Sequence, residues 1–87
     1  MSNKKWQLIS FVISSRYRQQ VLNNVSEFST PTQLSKKLKI NRAHISRALI
    51  DLAKNGLVEC KTPEERKGRI YLITKLGKEI QAILKNN

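Results

Sequence analysis

The chain has one cysteine, two prolines, three glycines and six acidic residues among its 87 positions. A single cysteine excludes an internal disulfide and the usual structural zinc sets, and it fits a reducing, cytoplasmic setting. No apolar run reaches the roughly 18–20 residues of a membrane span. The most apolar stretch, Trp6 to Ile13, is short, holds Gln7 and Ser10, and lacks the small-residue cleavage site of a secretory leader. One Trp, two Tyr and two Phe are too few for the stacking platforms of single-strand binders. The glycines form no phosphate-cradling loop, no carboxylate pair shares a helix face, and no Ser or Cys is spaced with a His for nucleophilic chemistry. The expectation is a protein that is not an enzyme and needs no metal or cofactor.

What is abundant is positive charge. Seventeen Lys and Arg give a net charge of +11, and Glu27 is the sole acid in residues 1–50. Such a surface attracts polyanions, nucleic acid before anionic membrane. Charge alone gives only sequence-independent attraction, so the fold must supply any specificity. The length suits one domain with a thin core, which is expected to lean on a second copy.

Ser14 and Ser15 interrupt an apolar first segment, and either could cap a new helix. Beyond them Tyr17, Val21, Leu22, Val25 and Phe28 share one helical face. The run Thr30-Pro31-Thr32-Gln33 places a Thr at the N-cap, proline at the first helical position and Gln three residues past the cap, which is a capping box. Leu34 and Leu38 give this short helix an apolar face, and Lys36, Lys37 and Lys39 solvate the rest. Asn41 is then a second N-cap. The helix it opens carries Ile45, Ala48, Leu49 and Leu52 on one stripe and Ala43, Ser46, Arg47, Ile50 and Lys54 on the other, and Gly56 sits where a left-handed C-cap belongs. Residues 57–61 and 69–73 read as strands joined by the charged turn Thr62 to Gly68. Thr74 caps a last helix with Leu76, Ile80, Ile83 and Leu84 on one face.

Two short helices joined tightly, the second amphipathic with a basic outer face, make a helix-turn-helix. The hairpin after it supplies a wing. The fold class expected is mainly α with a small β-hairpin, a winged helix-turn-helix over residues 1–87, with a three-helix core, a two-stranded wing and a terminal helix.

The stretch LSKKLKINRAHISRALIDLAKNGLVECKTPEERKGRIYLITKLGKEI resembles the winged-helix core of MarR-type transcriptional regulators, and the N-terminal LISFVISSRYRQQVLNNV resembles the small one-domain winged-helix proteins common in archaea. Its second half matches the family's wing: Gly-Leu-Val-Glu, an acidic-basic loop, a strand, Ile-Thr and then, after two intervening residues, Gly. The resemblance covers roughly residues 30–81. It implies a sequence-specific regulator that binds double-stranded DNA. Full MarR-type proteins are longer and add terminal helices that dimerise and form an effector pocket; this chain leaves little room for that pocket, so no small-molecule effector is expected. The family's wing carries Asp-x-Arg, with the arginine entering the minor groove. Here Glu65-Arg66-Lys67 stands at those positions, so Lys67 replaces the arginine and Glu65 the aspartate that positions it. Arg66 and Arg69 are the alternatives for the groove contact.

The candidate DNA contacts are Asn41, Arg42, Ala43, His44, Ser46 and Arg47 on the recognition helix, Thr32 and Gln33 at the start of the helix before it, and Arg66, Lys67 and Arg69 in the wing. Arg42 and Arg47 suit guanine edges, and Asn41 suits adenine unless its side chain is occupied as a cap. Ile50 on the outer face either packs on the wing or meets a thymine methyl. His44 has no second ligand near it in sequence, and Cys60, beside Val58, reads as a packed core thiol. Trp6, Ile9 and Ile13 with Ile80, Ile83 and Leu84, in terminal helices of about residues 4–13 and 75–86, read as a homodimer interface; the alternative is that these helices pack on each other within one chain. A second functional reading also stays open, a winged-helix module that binds protein or RNA within a larger assembly and does not regulate a promoter.

Overall fold

The computed structural model describes residues 4–85. Helices α1 (Lys4–Ile13), α2 (Arg16–Asn24), α3 (Pro31–Leu38) and α4 (Arg42–Lys54) are followed by strands β1 (Val58–Cys60) and β2 (Tyr71–Ile73) and by helix α5 (Lys75–Lys85). The strands pair antiparallel, with Val58 opposite Ile73 and Cys60 opposite Tyr71. This is a winged helix-turn-helix, as the sequence leads one to expect. The last helix ends at Lys85; the expected residue 86 lies outside the described residues.

The helix boundaries follow from the capping chemistry. Ser15, not Ser14, caps α2, its hydroxyl accepting from the Arg18 amide. At α3 the capping box closes in both directions: Thr30 Oγ1 accepts from the Gln33 amide at 3.1 Å, and Gln33 Oε1 accepts from the Thr30 amide at 3.3 Å. The helix-turn-helix corner is formed by Lys39, left-handed at φ 58°. Ser35 fastens it, its hydroxyl donating to the Ile40 carbonyl at 2.6 Å and its carbonyl accepting from the Ile40 amide. Asn41 starts α4 by accepting from the Ala43 amide at 2.8 Å. The α4 C-terminus is a Schellman turn: with Gly56 at φ 74°, its amide donates to Ala53 and that of Leu57 to Leu52. Leu52 and Leu57 are both fully buried and supply the apolar contact that accompanies this turn.

The core joins Val12, Val21, Leu22, Ile45, Leu49, Leu52, Leu57 and Ile80, all without exposure. Complete burial of each large side chain contributes about 1.5–3 kcal/mol, which is what holds three short helices around so thin a centre. Gly77 lets α5 approach the hairpin, because a Cβ there would collide with the Leu57 carbonyl oxygen and lie 2.8 Å from Ile73 Cγ1. Thr74 fixes the same junction, accepting from the Gly77 amide and donating to the Gly56 carbonyl at 2.7 Å. Gln81 reaches back from α5 to the Leu22 carbonyl.

Arg18 sets α2 against its neighbours. Its guanidinium lies 4.2 Å from the Phe11 ring centroid, donates to the Phe11 carbonyl at 2.7 Å, and stands 3.6 Å from the Asp51 carboxylate on α4.

Two apolar assignments from the sequence need correction. Phe28 is 72% exposed and shares no face with Val21 and Val25, because α2 ends at Asn24 and the chain turns away before reaching it. The segment after it joins the sheet instead: Ser29 and Tyr71 exchange both backbone hydrogen bonds, at 2.9 and 2.8 Å, as a single rung beside β2. Ile80, assigned to a dimer interface, is fully buried within one chain and offers no surface to a second. On α1 the inward stripe is Leu8 and Val12; Trp6 and Ile13 point out at 70% and 52% exposure. Ile9, Ile83 and Leu84 are half-buried against the core. The two terminal helices do pack on each other, and Lys5 pairs with Glu79 across them at 3.2 Å.

Candidate nucleic-acid interface

The inward stripe of α4 is consumed by the core, which turns Arg42, Ala43 and Arg47 out to solvent, with Ser46 half-buried beside them. None of the ion pairs among the described residues involves Arg42 or Arg47, so both charges remain available to a ligand. Asn41 and His44 also lie exposed at the start of this helix. The Asn41 side-chain oxygen is engaged as the cap, which leaves its amide nitrogen to donate outward.

Next to this ridge lies an open cleft. Its walls are Thr30, Pro31 and Thr32 at the start of α3, Arg42, Ser46 and Ile50 on α4, and Arg66 to Arg69 in the wing. Ile50 lines this cleft and is exposed, which leaves both of its expected roles open. Arg42 Nη1 stands 3.5 Å from Thr32 Oγ1, a long contact that links the starts of α3 and α4. Gln33 is exposed, but its side-chain oxygen closes the capping box. The structure therefore gathers Thr32, Arg42, Ser46, Arg66, Lys67 and Arg69 around one concavity, with Ala43 and Arg47 on the adjoining ridge.

The wing is held differently from what its resemblance implies. Arg69 Nε donates to the Glu65 carbonyl oxygen at 2.6 Å, and Nη2 to the Pro63 carbonyl at 3.3 Å. Glu65 donates its amide to the Thr62 carbonyl, and Thr62 Oγ1 accepts from the Ile70 amide. Gly68, at φ 69°, lets the loop return. The pairing of the Glu65 carboxylate with Lys67 that the resemblance implies is absent among the ion pairs of the described residues. The physical reason is proximity: the loop folds its own carbonyl oxygens around the Arg69 fork, which satisfies them without a carboxylate. Arg66 and Lys67 are left exposed at the tip.

On the opposite flank of α4, His44 stacks on Tyr17 with ring centroids 4.5 Å apart and planes 12° from parallel. Sequence reasoning set Tyr17 on one helical face with Val21 and Leu22 and singled out neither Arg16 nor Gln20; the signal available was the Ser15 cap, which places Arg16 and Tyr17 in the exposed first turn of α2. Cys60 is half-buried against the core. Among the described residues no three His, Cys, Asp or Glu side chains gather as a metal site, and no helix is long and apolar enough to cross a membrane.

No protein-family model matches the chain, and no curated protein matches it. Solved structures do. The chain is similar to TubR bound to 24 bp of tubC from Bacillus thuringiensis serovar israelensis pBtoxis, at 15% identity and a TM-score of 0.76, over 94% of this chain and 92% of that one. It is similar to a MarR family transcription regulator at 21% identity and a TM-score of 0.69, over 97% of this chain and 64% of that one. It is also similar to the zinc-dependent MarR family regulator AdcR in its Zn(II)-bound state, at 18% identity and a TM-score of 0.51, covering 99% of this chain and 51% of that one. At these identities the likeness is one of fold, and the chain spans only about half to two thirds of the two MarR family proteins.

Proposed function

We propose that this chain is a regulator of transcription that binds double-stranded DNA as a homodimer. Helix α4 enters the major groove, and the wing tip lies along the backbone or in the minor groove. The observation that carries the reading is the α4 ridge: Arg42 and Arg47 stand exposed, in no ion pair among the described residues, next to a cleft lined by Arg66 and Lys67. A helix of about 10–12 Å diameter fits a major groove about 12 Å wide. The likeness in fold to a protein bound to 24 bp of DNA supports duplex binding. The net charge of +11 suits many phosphate contacts.

The dimer is proposed through α1 and the end of α5. Trp6 and Ile13 are the exposed apolar anchors, with Ile9, Ile83 and Leu84 at their margin. Such a dimer would space two α4 helices about 34 Å apart, one turn of DNA. The reading is tested by competing duplex against single-stranded DNA at several salt concentrations. Duplex should win, and with about 6–10 phosphates neutralised log affinity should fall against log salt with a slope of roughly −5 to −9. Equal competition by single strands, or an affinity indifferent to salt, would contradict it.

A second reading, a module that docks on protein, is favoured by one observation. Phe28 lies exposed beside Ile70 and Leu72 on the outer face of the hairpin, away from α4.

A further inference from the structure

We infer that the concavity on the α2 side of α4 is a second phosphate-binding site, built by Arg16, Tyr17, Gln20, Lys39 and His44, which takes the DNA strand opposite the one that meets the wing. This inference rests on the duplex-binding reading and extends it to Arg16, Tyr17 and Gln20 of α2, outside the helix-turn-helix and the wing. A helix lying in a major groove has a sugar–phosphate strand on each side. The ridge of α4 is flanked in the same way. One flank is the cleft with Arg66 and Lys67. The other is a separate concavity whose rim carries Arg16 from α2, Lys39 from the corner, and Asn41 and His44 from α4. No acid lines it, and neither Arg16 nor Lys39 enters an ion pair among the described residues.

Tyr17 gives the site its shape. A tyrosine on a helix of this small domain is expected inside, yet it is 38% exposed and lies flat against His44. The stack holds the imidazole at the start of α4 in one orientation, so less rotamer freedom is lost when it meets a phosphate. Tyr17 is thus a positioning residue for His44 as well as a hydroxyl donor at the rim. Lys39 is placed by its left-handed backbone, which turns the chain at the corner between α3 and α4. Gln20, one helical turn beyond Arg16, adds an uncharged donor. The contacts expected here are with backbone oxygens, so the site should be indifferent to sequence.

The test measures the affinity of the full chain for a short mixed-sequence duplex across a salt series, with Arg16→Gln, Lys39→Gln, Tyr17→Ala, Tyr17→Phe and, as a reference on the other flank, Lys67→Gln. Arg16→Gln and Lys39→Gln should each reduce the magnitude of the salt slope by about 1 per chain. Tyr17→Ala should weaken binding several-fold, and Tyr17→Phe, which keeps the stack, should recover most of that loss. Thermal midpoints measured alongside separate these effects from misfolding. If Arg16→Gln, Lys39→Gln and Tyr17→Ala all bind like the unaltered chain while Lys67→Gln loses affinity, this second site is overturned and the duplex-binding reading stands. If the unaltered chain binds no duplex, both fall together.

Discussion

The Nε of Arg69 lies 2.6 Å from the carbonyl oxygen of Glu65, across the loop that forms the tip of the wing. With a second bond to Pro63, the guanidinium fork closes the turn from inside, and the basic side chains free to meet a ligand are those of Arg66 and Lys67. Glu65 thereby contributes its main chain to the wing and leaves its carboxylate in solvent.

Arg69→Ala should therefore loosen the loop and lower duplex affinity by more than the loss of one phosphate contact, while leaving global stability within about 0.5–1 kcal/mol, as for a surface change. Hydrogen exchange of the amides from residues 64 to 68 should accelerate. Arg69→Lys should not rescue, since an ammonium cannot serve two carbonyls in the planar geometry of the fork. Unchanged exchange would show that the wing keeps its shape without this residue.

Gly77→Ala should destabilise the fold by about 1–3 kcal/mol, the usual cost of overpacking. The added methyl meets the Leu57 carbonyl, which is backbone and cannot rotate aside. Chemical denaturation gives the number. A neutral result would mean that α5 can slide away from β1 at no cost, contrary to the way Thr74 and Gln81 tie it down.

At the other end of the scale, Thr30→Ala removes the hydroxyl that accepts from Gln33 and should cost about 0.5–2 kcal/mol. Lys39→Gly should stabilise by up to about 1 kcal/mol, since glycine accepts φ 58° without the steric penalty of a side chain. The same Lys39→Gly change should nonetheless weaken duplex binding, because it deletes a charge from the rim on the α2 side. Stability and affinity moving in opposite directions is the signature to look for.

The terminal helices give a prediction with an internal control. Ile13→Glu should convert a dimer into a monomer in sedimentation at micromolar concentration without unfolding the chain, because Ile13 is exposed. Ile80→Ala should instead cost about 2–5 kcal/mol of stability, as for a cavity in a packed core. A chain that is monomeric before any substitution would remove the dimer and the expectation of a palindromic site.

These contrasts mark what could be read in the sequence. The starts of α3 and α4 were legible because capping is local: Thr30, Pro31, Gln33 and Asn41 carry their own instructions within four residues. The exit of α4 at Gly56 was legible for the same reason. The facing of α1 was legible only in part: Trp6 and Ile13, assigned to an outer interface, do face solvent, but the inward stripe of Leu8 and Val12 was not singled out. That helix is apolar on several sides, so Trp6, Ile9 and Ile13 fit a stripe as well as Leu8 and Val12 do, and only tertiary packing decides between them. The Ser29–Tyr71 rung is a single pair with no strand periodicity to announce it. The stack of Tyr17 on His44 joins residues of two different helices, and the Arg69 fork depends on where the loop places its carbonyls. The main ridge of the site was visible because it is what remains of α4 once the core stripe is removed, whereas the flanks were set by packing between helices.

The most direct test of the central claim is the discrimination of Arg47→Ala between a duplex selected from a random pool by the unaltered chain and a scrambled duplex of the same length. If α4 reads the major groove, Arg47→Ala should lower affinity for the selected site by about 1–3 kcal/mol, roughly 5- to 150-fold, and leave scrambled DNA nearly unaffected. Equal losses on both duplexes would make Arg47 a phosphate contact and contradict base reading by this face of the helix.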